Sequence, residues 1–469
     1  MKIPTKLMGF LTYNENTCPF SVEKDCLYLY PKDENMWSDN LKSQYHNLRN
    51  LHKESRWIGH LDLYGKLSSG QNIMFRVIEI NSSYNGFINF DIIMYIVYED
   101  KLDLNKIQGF KISSDEINYF YTPDKTFEST IKFNEEKNER ELMSVKGNHV
   151  ENYIGECIKD EVEIKVSVQA FPTIHFRSKT PFSAESQFII NLNKGQTFDW
   201  IHNLRHKIKL LMNYLCYRNN IVFDNTDLFI IDNNGKRNIC GKMVITDELK
   251  ISKENNRKKE NKIIKFENIQ EYFINLLEVI LSGNMYFEHI CNSIDETRIY
   301  TVSREILVFA AFEREFRNIY GQDYGRSKEY INIKEQSIEL FNKSIEESHG
   351  KQKKYFKSIQ DFVSKLDISL EQKILAALKD CSDIIEPFVK FEYNDSLDNV
   401  KGDISLRMNK LRNTVAHAKI DFDDEPIYLS DLKIIQILLY AMRLKNLGLE
   451  KIKIQQSIKD LFEFNILIT

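Results

Sequence analysis

An arginine and a histidine stand with four residues between them in the stretch Arg412-Asn413-Thr414-Val415-Ala416-His417. Arginine presents a permanently charged planar fork that matches phosphate oxygens, and histidine exchanges a proton near neutral pH. The pair suits phosphodiester chemistry, with the cation stabilising charge on phosphorus and the imidazole moving a proton. The local field agrees. Between positions 401 and 419, Lys401, Arg407, Lys410, Arg412 and Lys419 stand against Asp403, five cations to one acid, a local charge of +4.

These groups need a helix to position them. Ile404, Met408, Leu411 and Val415 recur at three- and four-residue steps, which gives one apolar face. Asp421, Asp423, Asp424, Glu425 and Pro426 then read as a helix end and a loop. Residues five apart point about 140° away from each other on a regular helix. Arg412 and His417 can therefore share a face only if the helix ends or bends between them. Alternatively, two copies of the motif meet across a dimer. Asn413 either orients a phosphate or His417, or is a polar surface residue.

A rival constellation is Asp199, His202 and His206. Histidines at i and i+4 share a helix face, and the aspartate could be a third metal ligand. Asn203-Leu204-Arg205 between the histidines lacks the glutamate of the zinc-protease motif, and Arg205 would repel a dication. The reading is therefore of no metal and no cofactor. No phosphate-cradling G-x-x-x-x-G-K-[ST] loop, G-x-G-x-x-G turn or G-x-S-x-G elbow is found, and only 17 glycines are present.

The 469 residues allow two or three domains, and 42% hydrophobic with 28% charged residues is the balance of a globular protein. A net charge of −4 carries no global nucleic-acid signal, so any RNA binding must be local. Cys18, Cys26, Cys157, Cys216, Cys240, Cys291 and Cys381 include no C-x-x-C pair and are odd in number, as in a reduced cytosolic protein. Positions 1–20 lack a basic-then-apolar leader, and the apolar run at 434–442 is too short for a bilayer. A cytoplasmic protein with no membrane contact is expected.

Residues 1–250 read as a β-rich domain. Strand-like runs lie at 72–80, 86–98, 161–170 and 188–193, which suggests a sandwich or barrel. From about 197 a helix-and-strand tail follows: Ile201, Leu204, Ile208, Leu211 and Leu215 mark a helix, and strands flank Asn233-Asn234-Gly235. Residues 251–265, the core of a run of seven cations and two acids from 250 to 265, read as a solvated basic linker or an RNA-backbone contact. Residues 266–469 read as a helical bundle, with a long helix over 327–366 breaking at Gly350. The fold class is α+β.

The motif, placed late in an all-helical C-terminal region, resembles the HEPN ribonucleases. The wider pattern resembles ApeA-type anti-phage proteins, in which a β-rich domain precedes a HEPN domain. Trp57-Ile58-Gly59 and the run from Leu63 to Ile73 are similar to that family's glycine-bracketed hairpin. Ala311-Phe312-Glu313-Arg314-Glu315-Phe316 is similar to its early HEPN helix. The resemblance implies a metal-independent endoribonuclease acting in anti-phage defence by abortive infection. Arg412 and His417 would be catalytic. Arg407, Lys410 and Lys419 would hold the RNA backbone, tRNA being one candidate. Glu313 either pairs with Arg412 and holds its fork or is simply solvated. The implied partners are RNA, a phage-derived trigger and a second copy bound through the C-terminal domain, with the β-rich domain as sensor. The alternative is a catalytically silent HEPN-type module that recognises RNA or a phage protein.

Overall fold

The computed structural model describes residues 3–4, 6–13, 15–30, 60–82, 87–134, 139–174, 182–252, 254–260, 262–364, 366, 368–416 and 426–468. The chain forms an N-terminal barrel-and-sheet region followed by a helical region, an α+β arrangement. It divides into two compact units, Met1–Asn213 with Asn220–Glu260, and Tyr214–Asn219 with Asn261–Thr469.

In the first unit six antiparallel strands close into a barrel: β1 (Met8–Tyr13), β2 (Asn16–Glu23), β3 (Cys26–Leu29), β4 (Leu61–Leu67), β5 (Asn72–Ser82) and β6 (Ile88–Tyr98). The ring order is β6-β3-β2-β1-β4-β5, closed by β5 against β6. Alternation along β6 sends Ile88, Phe90 and Ile92 inward, where they meet Leu11, Phe20, Leu27, Leu63, Ile73 and Phe75. Where β1 meets β4, a Cβ on Gly9 or Gly65 would strike the facing backbone, so both positions require glycine. The β4–β5 hairpin spans the glycine-bracketed run, turning at Gly70 with φ +88. Trp57, Ile58 and Gly59 lie outside the described residues.

Strand β6 belongs also to an open sheet. There it pairs with β14 (Arg237–Ile245), and the order continues through β13 (Asn225–Ile231), β7 (Ile107–Ser113), β12 (Phe182–Gln196) and β11 (Val162–Ile174) to β10 (Val150–Lys159). Strands β8 (Phe127–Asn134) and β9 (Glu139–Gly147) form a separate hairpin. Helix α1 (Phe198–Cys216) buries Ile201, Leu204, Ile208 and Leu211, the residues that its periodicity marks.

The expected linker is solvated only in part: Ser252, Asn255, Lys258 and Glu260 are exposed, but two of its lysines are not. Lys259 is buried, its ammonium 2.9 Å from Asp115 and 3.5 Å from Glu116. Lys262 is also buried, and pairs with Glu463 at 3.0 Å. These lysines serve the folding of their own units, because buried ammonium groups persist only when paired.

The longer helices of the second unit are α2 (Phe273–Leu281), α3 (Val302–Tyr320), α4 (Lys328–Glu347), α5 (Gly350–Ser364), α6 (Leu370–Asp380), α7 (Ser382–Tyr393), α8 (Leu397–Ala416), α9 (Pro426–Leu447) and α10 (Lys451–Phe462). Helix α9 is buried on all sides from Ile434 to Leu444 and forms the centre of the bundle. No described helix is long and apolar enough to cross a membrane. A capping box from Ser369 and Gln372 starts α6. Pro387 inside α7 removes the hydrogen bond that Asp383 O would accept; the buried Gln455 amide donates to Asp383 O and Ile384 O instead, at 3.1 and 3.0 Å. The long helix expected over 327–366 breaks into α4 and α5 before Gly350, whose φ is +58.

Candidate active site

Helix α8 forms because Ile404, Met408 and Leu411 can be removed from water together. All three are buried, with α3, α6, α7 and α9 as its neighbours. Its N-terminus is capped from outside: Leu397 N–H donates to Glu386 Oε2 at 3.0 Å, which places an acid where the helix dipole favours one. The apolar face expected to serve either the bundle or a subunit contact is thus taken up by the bundle.

The described part of helix α8 runs to Ala416. His417 and Lys419 lie outside the described residues. Arg412 sits in the last described turn with its side chain 43% exposed. Its Nη2 donates to Glu313 Oε1 at 3.4 Å, and its Nη1 donates to Asn413 Oδ1 at 3.2 Å. Asn413 and Lys410 are exposed.

Glu313 comes from α3 and is the hub of a cluster that spacing alone does not reveal. Its Oε2 lies 3.4 Å from Arg317 Nη2, one turn along the same helix, and 3.8 Å from Lys373 Nζ on α6. Three cations, Arg412, Arg317 and Lys373, thus converge on one carboxylate. The exposed guanidinium of Arg412 at its rim can take up a phosphate. Lys373 is itself buried and cannot move away from Glu313 freely. No signal in the sequence separates Lys373 from the other lysines of its region, since its relevance comes from the crossing of α6 and α3.

Arg407, expected to hold phosphate, is engaged elsewhere. Its Nε and Nη2 donate to Asp431 at 2.7 and 2.8 Å, and Tyr393 Oη donates to the same carboxylate at 2.5 Å. Asp431 is fully buried. The hydrogen bond that Arg407 donates to Asp431 raises the Arg407 pKa against the lowering effect of burial; burial, then Asp431, raises that of the Tyr393 hydroxyl. Arg407 is thus the counter-ion of a buried acid that joins α7, α8 and α9, and we withdraw it from the candidate site.

The rival constellation is built differently from a metal site. Asp199 accepts from Arg76 Nη1 at 2.5 Å, and Arg76 also pairs with Asp62 at 2.8 Å. Burial, then nearby Arg205 and Arg76, lowers the His202 pKa to about 4. Burial, then Lys209 and Lys207, lowers that of His206. Arg205 is buried and doubly bonded to Glu248, with its Nε on Thr226. These contacts anchor α1 to the first unit, and no cluster of three or more metal-ligating side chains occurs among the described residues.

A cleft of about 360 Å³ in the second unit is lined by Tyr217, Lys262, Arg298, Tyr300, Lys433 and Gln436, among others, and by neither Arg412 nor Glu313. Its cations are spent locally, Lys262 and Arg298 on Glu463 and Lys433 on Glu392. The exposed cationic rim around Glu313 is the stronger candidate. Comparisons with protein-family models, with curated proteins and with solved structures find no match to this chain.

Proposed function

We propose that the chain is a metal-independent endoribonuclease whose helical unit is of the HEPN type and which acts in anti-phage defence. The observation that carries the reading is the Arg412 guanidinium, exposed on α8 and tethered by Glu313, on which Arg317 and Lys373 also converge. The motif's histidine follows Ala416 in the sequence. An oriented fork beside a proton carrier is what in-line phosphoryl chemistry needs.

In the proposed reaction the RNA 2′-oxygen bonds to the adjacent phosphorus and the bond from phosphorus to the 5′-oxygen breaks. The products are a 2′,3′-cyclic phosphate and a 5′-hydroxyl. The proton lost by the 2′-hydroxyl is taken up and the leaving oxygen is protonated, with His417 in one of these exchanges. Arg412 offsets the charge that builds on the phosphorane. Glu313 and Asn413 orient Arg412, and Lys410 holds the backbone nearby. The N-terminal unit restrains the nuclease until a phage-derived trigger is present.

A second reading, a silent module that binds RNA or a phage protein, is favoured by one contact: Glu313 already offsets part of the Arg412 charge. One assay separates the two. Pure protein is incubated with total RNA, tRNA included, in EDTA. The nuclease reading expects new fragments ending in cyclic phosphate. Arg412→Ala and His417→Ala are expected to abolish them with the fold intact, and Glu313→Gln to slow them about tenfold, a loss of oriented fork worth about 1.4 kcal/mol. Undiminished cleavage by folded His417→Ala would remove the assignment. Binding without cleavage would select the silent module.

A further inference from the structure

The cleft beside α9 has a chemistry of its own, separate from the Arg412 rim. Helix α9 supplies Leu429, Ser430, Lys433 and Gln436, at steps that keep all four on one side of the helix. Exposure falls along that side, from 43% at Leu429 to 1% at Gln436. The cleft therefore deepens from a mouth near Leu429 to a floor at Gln436. The rings of Tyr217, Tyr300 and Phe462 also line it, those of Tyr217 and Phe462 with centroids 5.1 Å apart. A volume of about 360 Å³ is in the range of small-molecule sites.

The floor is incomplete. Tyr300 Oη donates to Gln436 Oε1 at 2.9 Å. The amide nitrogen of Gln436 is buried and has no hydrogen-bond partner among the described residues. A buried N–H without an acceptor carries a desolvation cost that an incoming acceptor relieves.

The charges are unequal. Lys262 and Arg298 lie on the same oxygen, Glu463 Oε2, at 3.0 and 3.3 Å, so two cations share one acid. Lys433 and Glu392 balance each other. The described lining thus holds three cations and two carboxylates. Arg298, with its side chain 84% exposed, stands at the mouth. A further cation lies behind the aromatic wall. The Arg304 guanidinium is 4.4 Å from the Tyr300 ring centre, 3.3 Å from Thr297 O and 3.5 Å from Tyr217 Oη, and no carboxylate among the described residues pairs with it. The potential in the cleft is therefore positive, which favours an anion over a cation. A metal ion is disfavoured further, because both carboxylates are already engaged.

We propose that this cleft binds a small planar organic anion. Its head, a carboxylate or a phosphate monoester, meets Arg298 at the mouth; its flat body lies among the rings; an acceptor at its far end completes the Gln436 amide. A plain hydrocarbon would leave that amide unpaired, and a free inorganic anion would leave the rings bare. The inference does not rest on the ribonuclease reading.

The test is isothermal titration calorimetry of the full chain with 4-carbamoylbenzoate, which carries a carboxylate and an amide carbonyl at opposite ends of one ring. A Kd at or below about 1 mM is expected. Benzoate, which lacks the acceptor, and benzamide, which lacks the anionic head, are each expected to bind about tenfold more weakly. Arg298→Gln alters an exposed side chain and is expected to weaken 4-carbamoylbenzoate about tenfold while leaving benzamide unchanged. Gln436→Met is expected to bring 4-carbamoylbenzoate down to the level of benzoate. Should that buried variant fail to fold, the benzoate comparison on the wild-type chain reads the same contact. A titration with 4-carbamoylphenyl phosphate names the head: tighter binding than the carboxylate assigns a phosphate monoester, weaker binding a carboxylate. No saturable binding of either anion by about 10 mM would overturn the proposal. Benzamide binding as tightly as the anions would overturn it too, as would an affinity unmoved by Arg298→Gln.

Discussion

At the scale of single residues, Arg407 and Arg412 show how position divides two identical side chains. They lie five residues apart on one helix, and so about 140° apart around it. Arg412 falls on the exposed side, beside Glu313. Arg407 falls towards α9, where Asp431 is fully buried and takes both its Nε and its Nη2. Arg407→Ala is therefore expected to act on stability, leaving a buried carboxylate without its cation at a cost of about 3–5 kcal/mol. Urea unfolding measures this directly. RNA affinity of the remaining folded protein should be unchanged; a loss of affinity at unchanged stability would return Arg407 to the site.

At the scale of elements, the end of α1 governs where the protein can be cut. Tyr214–Asn219 belongs to the second unit although the rest of α1 belongs to the first. Tyr214 stacks on Tyr440 with ring centroids 4.5 Å apart, and Tyr440 Oη donates to Tyr214 O at 2.7 Å. Ile264 N–H donates to Leu215 O at 2.9 Å, and Asn219 N–H to Cys291 O at 2.7 Å. A fragment comprising residues 266–469 lacks all of these contacts and uncovers Tyr440. Removing one large buried aromatic costs about 3–5 kcal/mol, so this fragment is expected to unfold well below the full chain. Calorimetry of the fragment checks it, and a Tm equal to that of the same unit in the full protein would contradict it.

At the scale of the whole molecule, acid stability depends on histidines that fold as neutral groups. Burial, then Arg304, lowers the His289 pKa to about 4. The unfolded chain holds its proton below the ordinary value of about 6.5. Between those values the unfolded state binds more protons, so stability is fully present above about 6.5 and declines as pH falls towards 4. The decline from His289 alone is at most about 3 kcal/mol. His202, also lowered to about 4, adds to the same window in the first unit. Unfolding free energy measured from pH 7 to pH 4 should fall, and His289→Gln should flatten the slope. A wild-type profile flat across that window would refute the account.

Periodicity in the sequence was enough to determine the β-to-α order, the helix of Ile201 to Leu211, the apolar face of Ile404, Met408 and Leu411, and the break at Gly350. Each depends on neighbours within a few residues, where φ/ψ preference and side-chain period act directly. The Arg412-to-His417 spacing was legible for the same reason, and the sequence resemblance drew attention to Glu313. Long-range packing decided the rest. Barrel closure rests on β5 meeting β6 and on glycines that let β1 approach β4. Lys259 and Lys262 read as solvated because their acids lie far away in sequence, at Asp115, Glu116 and Glu463. Arg407 read as a free cation for want of Asp431, and the Glu313 cluster lacked Lys373. A charge is solvated or paired according to what crosses it in space, and that crossing is set only when the helices and strands have packed.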